Sequence, residues 1–287
     1  MDRVKVLVTG ANGQLGVDLV KQLKDRGYDV YGCGREQLDI TDFNHVSQVF
    51  QEIRPDIVIH SAAHTKVDLA ESEPDEAFRV NATGTRNVAV AAEKIAAKLV
   101  YISTDYVFNG QGTQPYDEFM PTSPLGVYGR SKLAGEQFVQ TLHSRYFIVR
   151  TSWVYGLHGA NFVKTMLKLA EGRNELNVVH DQVGSPTFTV DLARFIGDLI
   201  ETEFYGTYHV SNTGSCSWYE FAKAIFEEAG LSMKVNPVTT AEFPRPAPRP
   251  EYSVMDHMAI RLNGLSDLPH WRDSLKIFIK EYQRSTF

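Results

Sequence analysis

Cysteine is nearly absent from this sequence, with two in 287 residues, Cys33 and Cys216, far apart in the chain. Two distant thiols exclude a disulfide framework, offer no metal-ligand spacing, and fit a reducing compartment. No apolar run approaches the roughly 20 residues that span a bilayer. The N-terminus runs directly into RVKVLVTG, without the charged-then-apolar pattern of a secretory leader. A soluble, cytoplasmic protein without membrane contact is expected. An excess of basic residues is missing too: 29 Lys and Arg stand against 35 Asp and Glu, a formal net charge of −6. That balance excludes a broad nucleic-acid surface, which needs cations to neutralise phosphates, but leaves room for a local site for one small anion. Internal repeats and low-complexity tracts are absent as well.

What is present is alternation. Short apolar runs at residues 4–9 (VKVLVT), 28–32, 57–61 (IVIHS), 98–103 (KLVYIS) and 146–150 (YFIVR) read as buried strands. Between them, residues 14–26, 43–54, 74–97 and 128–142 carry apolar side chains at helical spacing. The succession predicts an α/β fold with a doubly wound, Rossmann-type parallel sheet. The second half is less regular, with helices expected at 161–171, 191–201 and 218–228 and strands at 177–180 and 207–210. A smaller C-terminal substrate-binding lobe is the expected use of this half. The lobes should interleave, with residues 1–152 and 177–211 forming the dinucleotide domain and 153–176 and 212–287 the substrate domain. The stretch PRPAPRP at 244–250 is expected to form a rigid wall of a binding site, because some forty residues of globular composition follow it.

Directly after the first strand comes Gly10-Ala11-Asn12-Gly13-Gln14-Leu15-Gly16. Glycines at a strand-to-helix turn let the backbone approach a pyrophosphate and turn helix N-terminal amides towards it. Gly10, Asn12, Gly13, Gln14, Leu15 and Gly16 are therefore expected to hold a dinucleotide. After the second strand stands Gly32-Cys33-Gly34-Arg35, with no acid for a ribose hydroxyl and one arginine suited to a 2′-phosphate. NADPH is the expected cofactor, with NADH tolerated, and Asp39 and Ile40 are placed at the adenine edge.

Tyr128 and Lys132 stand four residues apart, on one face of a helix. Thr104 ends the fourth strand, where ligands of such sheets bind. A free phenol titrates near 10, and the expectation is that the Lys132 ammonium lowers this by roughly one to three units. The chemistry these three residues suggest is hydride transfer to a carbonyl carbon, with Thr104 aiming the carbonyl and Tyr128 protonating its oxygen.

GANGQLG, STDYVF and YGRSK together resemble the extended short-chain dehydrogenase/reductases. AAHTKVDLAESEP, PLGVYGRSKLAGE, RTSWVYG, DQVGSPT and RPAPRPEYS narrow the resemblance to the dTDP-4-dehydrorhamnose reductases, over roughly residues 4–280. The resemblance implies NADPH-dependent reduction of the C4 ketone of a dTDP sugar by the trio Thr104, Tyr128 and Lys132. It further implies that Ala62 and Ala63 line the cofactor crevice, and that Thr65, Val67, Asp105, Tyr106 and Trp153 meet the sugar or its surroundings. A dTDP sugar carries a pyrophosphate and a base, so Arg245 and Arg249 are expected to bind it, with Asn161 and Phe162 as weaker candidates. Relatives often have Asn where Gly126 stands. Some dimerise around Mg²⁺; with only Asp18 and Asp191 in place and Val190 where an acid would help, no structural metal is expected here, and the chain is a monomer or homodimer. His60 and His64, without further ligands, read as packing residues. Two other readings fit the motifs less well. A dehydratase needs Thr-Asp-Glu where this chain has Thr104-Asp105-Tyr106, and an epimerase of the same group tends to be longer. A non-catalytic regulatory subunit, as of methionine adenosyltransferase, has no need of the intact trio.

Overall fold

The structure, a computed structural model, describes residues 3–286. Five strands, β1 (Lys5–Thr9), β2 (Asp29–Cys33), β3 (Ile57–His60), β4 (Lys98–Thr104) and β5 (Tyr146–Thr151), join Gly206–His209 in one six-stranded sheet. The spatial order is Gly206–His209, β5, β4, β3, β1, β2, and every neighbouring pair is parallel. A parallel sheet needs both faces covered, and residue alternation along β1 provides for this. Val6 and Val8 point into a core with Leu15, Leu19 and Leu23 of α1 (Gln14–Asp25), while Leu7 points to the opposite core. That second core takes Val46 and Phe50 of α2 (Phe43–Ile53) and Val88, Ala89 and Ala92 further on. The chain leaves β1 towards β2 on one side, and β3 lies on its other side. The crevice between the tips of β1 and β3 is thus the switch point of the sheet.

The helix expected over 74–97 is interrupted. Behind α3 (Val67–Ser72), α4 (Pro74–Phe78) passes through a π-helical turn, Arg79–Gly84, into α5 (Thr85–Lys94). The wider turn brings buried Asn81 round to the β3 loop, where its side-chain oxygen accepts from His64 N at 2.7 Å and its amide donates to His64 O and Ser131 Oγ, both at 3.0 Å. Such one-turn π segments frequently mark functional sites.

A third core lies beyond the sheet, built from Tyr155, Phe188, Phe221, Trp271 and Phe278. It fills the space among α7 (Phe162–Ala170), α8 (Thr189–Leu199), α9 (Trp218–Ala229) and the C-terminal helix Trp271–Thr286. Glu175–Val179 pairs with Lys234–Val238 in a small parallel sheet of this lobe. No helix of the described residues is long and apolar enough to cross a membrane.

The helix α6 (Val127–Leu142) is tied to the sheet by a buried ion pair. Glu136, fully buried, accepts from Arg150 Nε at 3.0 Å and Nη2 at 2.7 Å, and Ser103 Oγ donates to the same carboxylate. Arg150 Nη1 stands 3.3 Å from His209 Nε2, and His209 Nδ1 stands 2.9 Å from the Tyr116 carbonyl. The carbonyl requires a donor, so the proton sits on Nδ1 and Nε2 accepts from the guanidinium. Burial, then Arg150, push the His209 pKa down to about 3, keeping the ring neutral. Arg150→Met would leave Glu136 buried without its cation. Urea unfolding should show a loss of about 3–5 kcal/mol, most of it recovered in Glu136→Leu/Arg150→Met; an unchanged midpoint in the single variant would refute this account of the core.

Candidate active site

The crevice at the switch point is a cleft of about 770 Å³. At one end is the glycine loop. Gly10 has φ +67°, which L side chains rarely adopt, and a Cβ there would stand 2.7 Å from Ala62 N. A Cβ on Gly16 would run into the Gly10 carbonyl oxygen. The N-cap of α1, Gly13, offers no side-chain cap, so the first amides of the helix remain open towards the cleft. A bare backbone cradle at a helix N-terminus fits a diphosphate. Gly10, Asn12, Gly13, Gln14, Leu15, Gly16, Arg35, Asp39, Ile40, Ala62 and Ala63 all line this cleft. Arg35 is exposed at its edge. The Asp39 carboxylate accepts from Thr41 N and Oγ1, at 2.9 and 2.8 Å, which holds its pKa below the usual range.

Further along the cleft stand Thr104, Tyr128 and Lys132. Thr104 ends β4, its hydroxyl donating to Asp105 Oδ1 at 3.0 Å and accepting from Tyr106 N at 3.2 Å. Tyr128, in the first turn of α6, hydrogen-bonds Thr104 and meets the Tyr106 ring edge-on, 5.5 Å between centroids. Lys132, one turn on and 2% exposed, donates to the Ile102 carbonyl at 2.6 Å with its ammonium 4.1 Å from the Tyr101 ring centroid.

The electrostatics run against the sequence expectation. Burial pushes the Tyr128 phenol up to about 12, outweighing the Thr104 hydrogen bond, with Asp105 adding to the rise. Lys132 is no fixed cation: burial brings its ammonium down to about 7, partly opposed by Glu136 one turn further along α6. Asp105, 2% exposed, is pushed by burial up to about 6, against hydrogen bonds from Ser253 and Thr104. All three shifts favour the neutral form, because the site takes these groups out of water.

The remaining sequence-derived positions divide. Thr65, Val67, Asp105, Tyr106 and Trp153 line the same cleft. Trp153 has φ +46° and its ring lies flat on Trp218, 3.5 Å between centroids, making a broad aromatic wall; a non-glycine residue held there signals imposed strain. Arg245 and Arg249 do not line the cleft. Both converge on Asp68 of α3, Arg249 Nη2 at 2.9 Å from Oδ1 and Arg245 Nη2 on Oδ2, beside the lining residue Val67. Burial tends to raise the Asp68 pKa, but the hydrogen bonds from Arg245 and Ala247 and the charges of both arginines hold it below the usual range. Asn161 is the N-cap of α7, accepting from Lys164 N at 3.0 Å and donating to Gln14 Oε1 at 2.8 Å, while Phe162 packs on Trp218. His60 is buried between Thr9 and Thr85, and burial brings its pKa down to about 3. Asp191 accepts from Asn212 and Ser274 in the core. Among the described residues, no group of three His, Cys, Asp or Glu is disposed to hold a metal ion. Asn81, Glu136, Asp68 and Glu71 were not singled out from sequence; the polar identity of Asn81 within an alanine-rich helical stretch was the one available signal.

The family described as "RmlD substrate binding domain" matches residues 4–284. The chain belongs to this family. It is 44% identical to dTDP-4-dehydrorhamnose reductase of Streptomyces griseus, over 95% of this chain and 92% of that protein. It is 50% identical to spore coat polysaccharide biosynthesis protein SpsK of Bacillus subtilis, over 96% and 97%. Among solved structures, dTDP-4-dehydrorhamnose reductase of Bacillus anthracis in complex with NADP superposes with a TM-score of 0.96 at 56% identity, covering 98% of this chain and all of that one. Family membership and the doubly wound fold thus agree with the reading of the motifs.

Asp105 gives a pH test. With its folded pKa raised from 3.8 to about 6, the native state holds the proton more tightly, so its contribution is full below about pH 4 and is lost as pH rises through 6. Asp105→Asn mimics the protonated form. The stability difference between variant and wild type, from urea unfolding of ligand-free protein, should grow in favour of Asn by roughly 3 kcal/mol between pH 4 and 7. A pH-independent difference would show the carboxyl to be unperturbed.

Proposed function

We propose that this protein reduces the C4 ketone of dTDP-4-dehydro-β-L-rhamnose with NADPH to give dTDP-L-rhamnose, the last step of dTDP-rhamnose synthesis. The observation that carries the reading is the meeting of Thr104, Tyr128 and Lys132 in one cleft with the glycine cradle, in a chain of this family. The larger lobe, residues 1–152 with α8 and the strand Gly206–His209, takes the dinucleotide; the smaller takes the nucleotide sugar. The smaller lobe also keeps Phe188 and Glu175–Val179, because that strand pairs with Lys234–Val238, so the expected boundary at 177 shifts towards α8. Two unpaired buried cysteines fit a cytoplasmic setting, and the chain acts as a monomer or homodimer.

The residues present fit the cofactor: the Gly10 and Gly16 backbone and the open end of α1 receive a diphosphate, and exposed Arg35 suits a 2′-phosphate, with NADH accepted less well. When bound, NADPH supplies the hydride. Thr104 hydrogen-bonds the ketone oxygen and aims it at Tyr128. A phenol with a pKa near 12 keeps its proton at neutral pH, so Tyr128 enters the reduction as the acid. As the ketone carbon gains hydride its oxygen becomes an alkoxide, and the phenolic proton moves to it. Lys132 gains charge easily because its pKa lies near 7; protonated, it stabilises the phenolate left behind and holds the nicotinamide ribose. Asp105 and Tyr106 contact the sugar hydroxyls, and the Trp153 wall packs against the sugar face. Arg245 and Arg249, held by Asp68 beside the lining residue Val67, are the guanidiniums offered to the pyrophosphate.

The test follows NADPH consumption with the keto sugar generated in situ. Wild type should form dTDP-L-rhamnose. Tyr128→Phe should lose about 10²–10⁴-fold in kcat while binding NADPH as wild type does. A wild type that binds NADPH and turns over nothing removes this substrate assignment.

A further inference from the structure

The N-terminus of α6 decides where Tyr128 sits, yet its N-cap residue, Gly126, has no side chain with which to cap it. The first amides of a helix need acceptors from outside the helix. Here Val127 N donates to Glu71 Oε1 at 2.7 Å, a carboxylate delivered by α3. A Cβ on Gly126 would stand 2.6 Å from that same oxygen. The Gly126 backbone, φ −101° and ψ 171°, is ordinary extended chain that any residue adopts. What the glycine provides is therefore room for the carboxylate. One helical turn before Glu71, Asp68 holds Arg245 and Arg249, and Pro248 of the same loop lies against Gly126, 3.5 Å from the position of a Cβ. A single turn of α3 thus touches both the start of the catalytic helix and the arginine loop.

We propose that Glu71 is a positioning residue for Tyr128, capping α6 from α3 and so holding the phenol in register with the loop that carries Arg245 and Arg249. This rests on the reductase reading, in which Tyr128 is the acid. A negative charge at a helix N-terminus is favourable, and a cap supplied by a neighbouring element fixes the helix end in three dimensions, where a cap from its own chain fixes only its local turn.

The experiment measures kcat, both KM values and melting temperature on the full chain for wild type, Glu71→Ala, Glu71→Gln, Gly126→Ala, Glu71→Ala/Gly126→Ala and Glu71→Ala/Gly126→Asn. Glu71→Ala should lower kcat about fivefold to tenfold with KM for NADPH unchanged, the size expected for a small misplacement of a reacting group. Glu71→Gln keeps an acceptor oxygen and should stay near wild type. Gly126→Ala displaces the carboxylate without replacing it, so it should show the same loss, and the two alanines together should lose no more than either alone. An N-cap Asn accepts from the second or third amide of a helix, not from the first. Gly126→Asn in the Glu71→Ala background therefore supplies a local cap without the tie to α3: it should recover the melting temperature and leave kcat at the Glu71→Ala level. Wild-type kcat in Glu71→Ala, additive losses at the two positions, or full recovery of kcat by Asn each overturn the proposal. If wild type itself turns over nothing, the reductase reading fails, and the melting temperatures decide the cap: recovery of the Glu71→Ala loss by Asn keeps it, and no recovery removes it.

Discussion

The ion pair between Glu136 and Arg150 joins the elements on which the site depends. Glu136 lies on α6, one turn beyond Lys132 and two beyond Tyr128, and Arg150 lies on β5 beside β4. Through Ser103 the same carboxylate holds the strand end that bears Thr104, and through His209 the guanidinium reaches the edge strand of the sheet. A buried pair of this kind contributes little net stability relative to an apolar core, but severing it is costly. Its role is specification. Only one placement of α6 over β4 and β5 satisfies both charges, and that placement brings the phenol beside Thr104.

Burial then sets the chemistry. A phenol that keeps its proton, a lysine near its titration point and a carboxyl that resists ionising are all consequences of excluding water. Only at the rim, where Asp68 faces two arginines, does opposite charge prevail over desolvation. The part of the cleft around Tyr128 is thus nearly uncharged, while beside α3 the two guanidiniums are matched by the carboxylates of Asp68 and Glu71.

Much of this was legible in the chain. The five apolar runs became five strands because a parallel sheet buries both faces, which continuous Val and Ile runs announce. The glycine loop was readable because a close backbone approach admits little else. What escaped was longer in range. The π turn at Arg79–Gly84 has no signature of its own; it exists because Asn81 finds partners at His64 and Ser131. Arg245 and Arg249 were found as cations, but their carboxylate lies some 180 residues away in α3, a pairing only folding creates. The expected drop in the Tyr128 pKa failed for a related reason. Helical spacing places Lys132 on the right face, but says nothing of how deeply that face is buried, and burial outweighed proximity.

The aromatic wall has one more consequence. All three tryptophans of the chain, Trp153, Trp218 and Trp271, belong to the smaller lobe, and the stacked pair includes the one facing the cleft. Indoles in face-to-face contact share their excited state, and Trp153 is held in that contact by a backbone conformation it would not choose alone. The protein therefore carries an optical reporter in the wall of its own cleft, one whose emission depends on what lies against that wall.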